Sequence, residues 1–236
     1  MNDELGTMND ELKKLSSVHH SSFLIHQFKC LWLNFRLYCR VIYNQKVKIL
    51  VARSTSEIET AYEKLSAAKV LGCDTETSSL SARHGKIFSV QFSDGDFSVL
   101  VPTSEGIALG KLAAILENPN ITKIFHNAKF DLEFLRESGY RTQSIFDTMI
   151  AEKLLTKGAG QSASLAETLY RYFAVDLEKS LRNTFTKNWN GVWTKELVNY
   201  ALSDVVHLPE LKKEQELWLE RLGLREEFER QMAKII

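Results

Sequence analysis

The sequence predicts an α/β domain built on a mixed β-sheet, with a mostly helical C-terminal part. Three observations predict it. Short apolar runs of β type recur between residues 47 and 125, and Ser93-Asp94-Gly95-Asp96 is an Asp-Gly turn that joins two of them as a hairpin. Strand–helix alternation follows, and from about residue 146 the reading is mainly helical.

Taken in order, residues 47–52 form a short β-type run, and Ser54-Thr55-Ser56-Glu57 has the capping-box pattern that opens a helix to about residue 68. A buried strand is expected over 70–75, and the hairpin strands over 87–92 and 97–101. Residues 109–117 read as a helix stopped by Asn118-Pro119. Residues 122–125 read as a strand that runs through Asn127 into a helix over 128–137, closed by Gly139. Helices are then expected over 146–156, 165–173 and 195–222, the last kinked at Pro209. Residues 158–162 and much of 180–193 read as loops.

Composition sets broad bounds. With 236 residues, 44% hydrophobic and 25% charged, the chain can bury a sizeable core. Thirty basic and thirty acidic side chains cancel, so net charge makes no case for nucleic acid. The three cysteines, Cys30, Cys39 and Cys73, lack metal-type spacing and point to a reducing, intracellular setting, the cytoplasm first. No Gly-rich phosphate loop is present, which argues against a nucleotide-fuelled enzyme.

Residues 1–46 form an extension of different character. Met1-Asn2-Asp3-Glu4-Leu5 recurs as Met8-Asn9-Asp10-Glu11-Leu12, and no acidic residue stands between Glu11 and Glu57. Leu24, Phe28, Leu31, Phe35, Tyr38 and Ile42 fall on one helical stripe, but Lys29, Arg36 and Arg40 interrupt it, so it is not a membrane span. A helix packed on the domain, an amphipathic anchor and an organelle-targeting segment all stay open.

The chemistry gathers at Asp74-Thr75-Glu76. On a strand, residues two apart share a face, so two carboxylates project together and repel unless a cation lies between them. A hard divalent ion such as Mg²⁺ or Mn²⁺ suits oxygen donors. Asn127 and Asp131 stand one helical turn apart, as do Tyr200 and Asp204. Each pair alone is ordinary: a strand end facing solvent, an acid in a first helical turn, a surface hydrogen-bond pair.

Together, Asp74-Thr75-Glu76-Thr77, His126-Asn127-Ala128-Lys129-Phe130-Asp131, Phe146-Asp147-Thr148-Met149 and Tyr200-Ala201-Leu202-Ser203-Asp204 resemble the motifs of the DEDD superfamily of metal-dependent 3′–5′ exonucleases. The subclass is the one with tyrosine in the third motif, including ribonuclease D and the proofreading domain of bacterial DNA polymerase I. The resemblance covers about residues 47–219. It implies a ribonuclease H-like fold over 47–222, a helical tail over 223–236, and phosphodiester hydrolysis with two divalent ions, Mg²⁺ or Mn²⁺. It also implies that Asp74, Glu76 and Asp204 hold one ion, Asp74 bridges to a second that Asp131 reaches through water, and Tyr200 orients the attacking water.

By the same resemblance, Thr77, Leu80 and Asn127 lie by the terminal nucleotides, Leu80 as a wedge between bases. Their bland readings are a cap for Thr77, packing for Leu80 and a helix N-cap for Asn127. His126 reads as structural and Asp147 as a helix cap. Arg182, Lys187, Trp189 and Trp193 either track a single strand or pack their loop. The expected partner is a single-stranded 3′ end. DNA comes first because residues 74–80 and the tail resemble the polymerase-associated branch, which leaves a polymerase domain or a partner in trans open. RNA trimming in the manner of ribonuclease D is the alternative, set second because its usual helical accessory domain is not seen. A catalytically silent nucleic-acid-binding module is the third reading.

Overall fold

The structure, a computed structural model, describes residues 47–235 apart from 178, 179, 182 and 187. The expectations for residues 1–46, with Cys30 and Cys39, and for Arg182 and Lys187 lie outside the described residues. Six strands form one sheet: β1 (Lys48–Val51), β2 (Val70–Thr77), β3 (Ile87–Ser93), β4 (Phe97–Val101), β5 (Thr122–Phe125) and β6 (Ile145–Asp147). Their order is β1-β4-β3-β2-β5-β6. Only β3 runs against its neighbours, so the other five strands end at the same edge. That is the mixed sheet expected. Strand β6 is a difference, since the sequence reads as helix from residue 146. Three residues are too few to show a period, and it is parallel pairing with β5 that fixes them.

Eight α-helices accompany the sheet among the described residues: α1 (Thr55–Leu65), α2 (Leu112–Glu117), α3 (Ala128–Glu137), α4 (Thr148–Leu155), α5 (Leu165–Phe173), α6 (Lys195–Val206), α7 (Leu208–Arg221) and α8 (Arg225–Met232). Ser54 caps α1 by accepting the Glu57 N–H, while the Glu57 carboxylate turns back to the Arg53 N–H at 2.8 Å and the Ser54 hydroxyl at 2.9 Å. The long helix expected over 195–222 is two helices, broken at His207. Pro209 therefore begins α7 rather than kinking one helix. In a first turn its missing N–H has no intrahelical partner to lose. Helix α8 packs on the rest through buried Phe228, whose ring centroid lies 4.7 Å from that of Phe146. No helix among the described residues is long and apolar enough to cross a membrane.

The two faces of β2 go to different partners. Leu71 and Cys73 are fully buried in the core that Ile58, Leu65, Leu112, Ile115 and Leu135 complete from α1, α2 and α3. Gly72, Asp74 and Glu76 point the other way, toward α6. On that face β3 sets Ser93, Gln91 and Ser89 opposite Gly72, Asp74 and Glu76. All three are fully buried, as is Ser98 of β4, whose hydroxyl donates to Ser93 at 2.8 Å. This stripe is polar, with its hydroxyls paired within the sheet; Gln91 is its one long side chain, and Gly72 leaves no side chain at all. A Cβ added at Gly72 would stand 2.3 Å from the Val205 carbonyl oxygen and 3.1 Å from Leu208 Cβ. The glycine thus sets how near α6 and α7 come to the sheet.

Gly72→Ala should therefore push α6 outward and lower stability by about 1–3 kcal/mol, as overpacked cores do. Urea unfolding measures this, and an unchanged midpoint would contradict the close approach.

Candidate active site

Strand β2 and helix α6 bring the first carboxylates together. Oxygens of Asp74, Glu76 and Asp204 lie within 4.8 Å of one another, all three side chains half-buried. Tyr200 stands one turn before Asp204 on α6, also half-buried. Its ring lies 6.1 Å from Phe185, which packs at 5.1 Å on Trp189 and 5.3 Å on Trp193. Trp189 also meets Phe88 of β3 at 4.8 Å, and Trp193 donates to the Ser104 hydroxyl at 3.2 Å. The loop tryptophans therefore pack their loop against the sheet, and Phe185 carries that cluster to Tyr200.

Asp131 arrives from the other side of the strand. Helix α3 holds it in its first turn, buried, where its Oδ1 accepts the Thr75 N–H at 3.0 Å and the Thr75 hydroxyl at 2.7 Å. Thr75 points away from Asp74 and Glu76, so its two donors fasten the fourth carboxylate behind the other three. Sequence reasoning passed over Thr75. The signal was its place between two acids, where a β-branched hydroxyl residue must face the opposite side of the strand.

The N-terminus of α3 is fixed by Asp147. Its carboxylate accepts N–H groups of Asn127 (3.1 Å), Ala128 (2.8 Å), Met149 (2.8 Å) and Ile150 (3.2 Å). It caps α4 as expected and ties α3 to it as well. Asn127 is left-handed, with φ of 72°, a conformation asparagine tolerates, and its side chain does not cap α3. Asn127 stands at the N-cap position expected, but its side chain is not the cap: Asp147 takes the Asn127 and Ala128 amides, and the Phe130 N–H goes to the Asn127 carbonyl. His126 Nδ1 lies 2.9 Å from the Thr148 hydroxyl, which itself donates to the Phe125 carbonyl, so the ring is the donor. Burial pulls His126 down to about 4, a neutral structural histidine.

At the strand end, Thr77 donates to the Ser79 carbonyl at 2.9 Å, which holds the loop that follows. Leu80 on that loop is 92% exposed, so packing does not explain it.

The electrostatics point to a cation. Burial first, and then the charges of Asp131, Asp204 and Glu76, hold Asp74 well above the usual carboxylate range. Burial likewise pushes Asp131 up to about 7 against the two Thr75 hydrogen bonds. Acids crowded in this way keep protons unless positive charge replaces them. The donors are all hard oxygens, which fits Mg²⁺ or Mn²⁺.

Comparison with known proteins agrees with this geometry. A family model described as 3′-5′ exonuclease matches residues 50–220. Ribonuclease D of Bartonella henselae is 31% identical over 170 residues, 70% of this chain and 40% of that protein. Ribonuclease D of Nitrobacter hamburgensis is 29% identical over 157 residues, 66% of this chain and 40% of that protein. The chain thus spans about two-fifths of the length of these curated relatives. Among solved structures, Brucella melitensis NrnC bound to pGG has a TM-score of 0.64 at 29% identity, over 72% of this chain and 82% of that one. Escherichia coli RNase D, at 22% identity over 80% of this chain and 49% of that one, has a TM-score of 0.68 and shares the fold.

The raised carboxyl values give a pH dependence. A folded state that holds protons the unfolded chain has released gains from them at low pH and loses that gain as pH climbs from about 4 to about 7. A divalent ion replaces those protons. Stabilisation by Mg²⁺ or Mn²⁺, read as a shift in melting temperature, should be larger near pH 8 than near pH 5. Equal shifts would contradict binding at these acids.

Proposed function

The chain belongs to the 3′-5′ exonuclease family, of DEDD type, and from that premise we propose that it removes nucleotides one at a time from the 3′ end of single-stranded RNA. The observation that carries this reading is the constellation at the end of β2. Three carboxylates lie within 4.8 Å, a fourth is held behind them by Thr75, and a tyrosine stands one turn from Asp204. The expectation of DNA gives way to RNA because the curated relatives are named ribonuclease D. A solved structure with pGG bound supports a nucleic-acid end as the ligand.

In this reading, residues 47–222 are the catalytic region and 223–236 a tail packed on it. Asp74, Glu76 and Asp204 would hold one divalent ion, Mg²⁺ or Mn²⁺, and Asp74 with Asp131 a second. Such ions supply positive charge to the attacking and leaving oxygens of an in-line displacement at phosphorus. The protein's own part is orientation. Tyr200 points its hydroxyl at the water that attacks, and Phe185 stands beside its ring. Thr75 keeps Asp131 in register with Asp74. Leu80, exposed on a tied loop, contacts the terminal base, while Thr77 and Asn127 flank the 3′ end. No side chain forms a covalent bond to the substrate.

A 5′-labelled single strand, RNA and DNA in parallel, tests this with either metal or with chelator. RNA should shorten to a ladder only with metal, and faster than DNA. Equal or faster cutting of DNA would return the reading to a deoxyribonuclease. Tyr200→Phe should lower kcat by about 100-fold or more, within the range of a positioned acid–base group. Asp74→Asn should lower activity by more than about 100-fold, the upper end for partners one step further from a metal. Activity that survives Asp74→Asn or chelator would exclude the two-ion site.

A further inference from the structure

Gln91 is a buried polar side chain that the carboxylate site leaves unexplained. It is fully buried on β3, its Nε2 donates to the Ser89 hydroxyl at 2.6 Å, and among the described residues its side-chain carbonyl accepts no hydrogen bond. A buried carbonyl without a donor destabilises a fold, and a methionine of similar length would fill the place without that loss. The β4 residue opposite it is Leu100, whose side chain offers no donor. The β2 residue opposite it is Asp74. A glutamine that lowers stability beside a metal-type carboxylate points to a part in the site.

Ser89 gives that part its direction. The two side chains share a face of β3, and the serine is fully buried as well. A hydroxyl has one proton and two acceptor sites. With the Gln91 N–H on one lone pair, the Ser89 proton must point away from Gln91. Strand β4 ends at Val101, which pairs with Val90, so its ladder sets no residue beside Ser89. Directly opposite on β2 stands Glu76, one of the three converging carboxylates. The register breaks just beyond, between Glu76 and Thr77, so this is the last pair in step. Opposed residues have Cβ atoms about 4.5–5.5 Å apart, a gap that a serine hydroxyl and a glutamate side chain can close.

We propose that Gln91 and Ser89 are positioning residues for Glu76 in the ion-bound site. The Ser89 hydroxyl donates to the Glu76 carboxylate, and the Gln91 amide keeps that hydroxyl turned toward it. One Glu76 oxygen is then fixed and the other is presented to the ion. Neither Gln91 nor Ser89 touches ion or substrate. The proposal rests on the reading above in placing a divalent ion at Asp74, Glu76 and Asp204.

Mn²⁺ binding to the full chain, followed by electron paramagnetic resonance of the free ion, tests this relay. The proteins are the wild type, Asp74→Asn, Gln91→Met, Ser89→Ala and the double variant Gln91→Met/Ser89→Ala. Each single change at Gln91 or Ser89 should weaken binding by about 10-fold or more, the range for groups that orient a metal ligand. The double variant should lose no more than the larger single loss, because two links of one relay do not add. Melting in chelator reads the fold apart from the ion. There Gln91→Met and the double variant should melt no lower than the wild type, since the unmet carbonyl is gone. Wild-type affinity in either single variant, or additive losses in the double, would overturn the relay. A lower melting temperature in Gln91→Met, whatever its affinity, would make Gln91 a packing residue and overturn it too. If Asp74→Asn binds Mn²⁺ as the wild type does, the ion lies elsewhere, and both the relay and the ion site fail. If Asp74→Asn abolishes binding but the wild type cuts no RNA, the exonuclease reading alone fails.

Discussion

Helix α6 can come no closer to the sheet than residue 72 permits. With glycine there, the Val205 carbonyl reaches a point that a methyl group would occupy, and the buried serines of β3 and β4 present little more bulk than hydrogen bonds. The third motif rides on this contact. Asp204 is the neighbour of Val205, so the distance between helix and strand is also the distance between carboxylates. A core of ordinary leucines and valines on this face would hold the helix further out and the acids further apart. Packing density here decides electrostatics.

That arrangement works against the stability of the metal-free protein. Asp74 and Asp131 are held well above the usual carboxylate range by burial and by their neighbours. Apolar packing on the opposite face of β2, with Leu71 and Cys73 in the main core, offsets the repulsion. Asp131 and Asp147 are bound by backbone and hydroxyl donors, and the oxygens of Asp74, Glu76 and Asp204 converge on one another. The first pair shapes the frame, and the converging three form a set of oxygen donors that could hold a cation.

Much of this was legible in the residues. The strand over Thr122–Phe125 and the helix over Ala128–Glu137 were readable to the residue, because a short apolar run, Asn127 and Gly139 mark their ends in chemistry that does not depend on the rest of the fold. The four acids and Tyr200 were readable through their spacing. The serine stripe was not, since alternate polar residues on a strand ordinarily mean solvent and only the tertiary structure shows a helix over them. Neither was the short strand Ile145–Asp147, which exists through pairing with β5, nor the break at His207, where Pro209 suits the start of a helix as well as a kink. RNA against DNA was beyond reach for a simpler reason: carboxylates that hold metal do not touch the sugar.

The Asp147 carboxylate has one more consequence. Its two oxygens accept four amides from two separate helix starts, Asn127 and Ala128 on one side and Met149 and Ile150 on the other. None of these amides can be released to water without leaving a buried carboxylate short of donors, so fraying at either helix start is coupled to fraying at the other. Local opening near Asp131 is thereby turned from a series of small independent excursions into one cooperative event. Opening at the sheet end that carries Asp131 therefore involves both helix starts together.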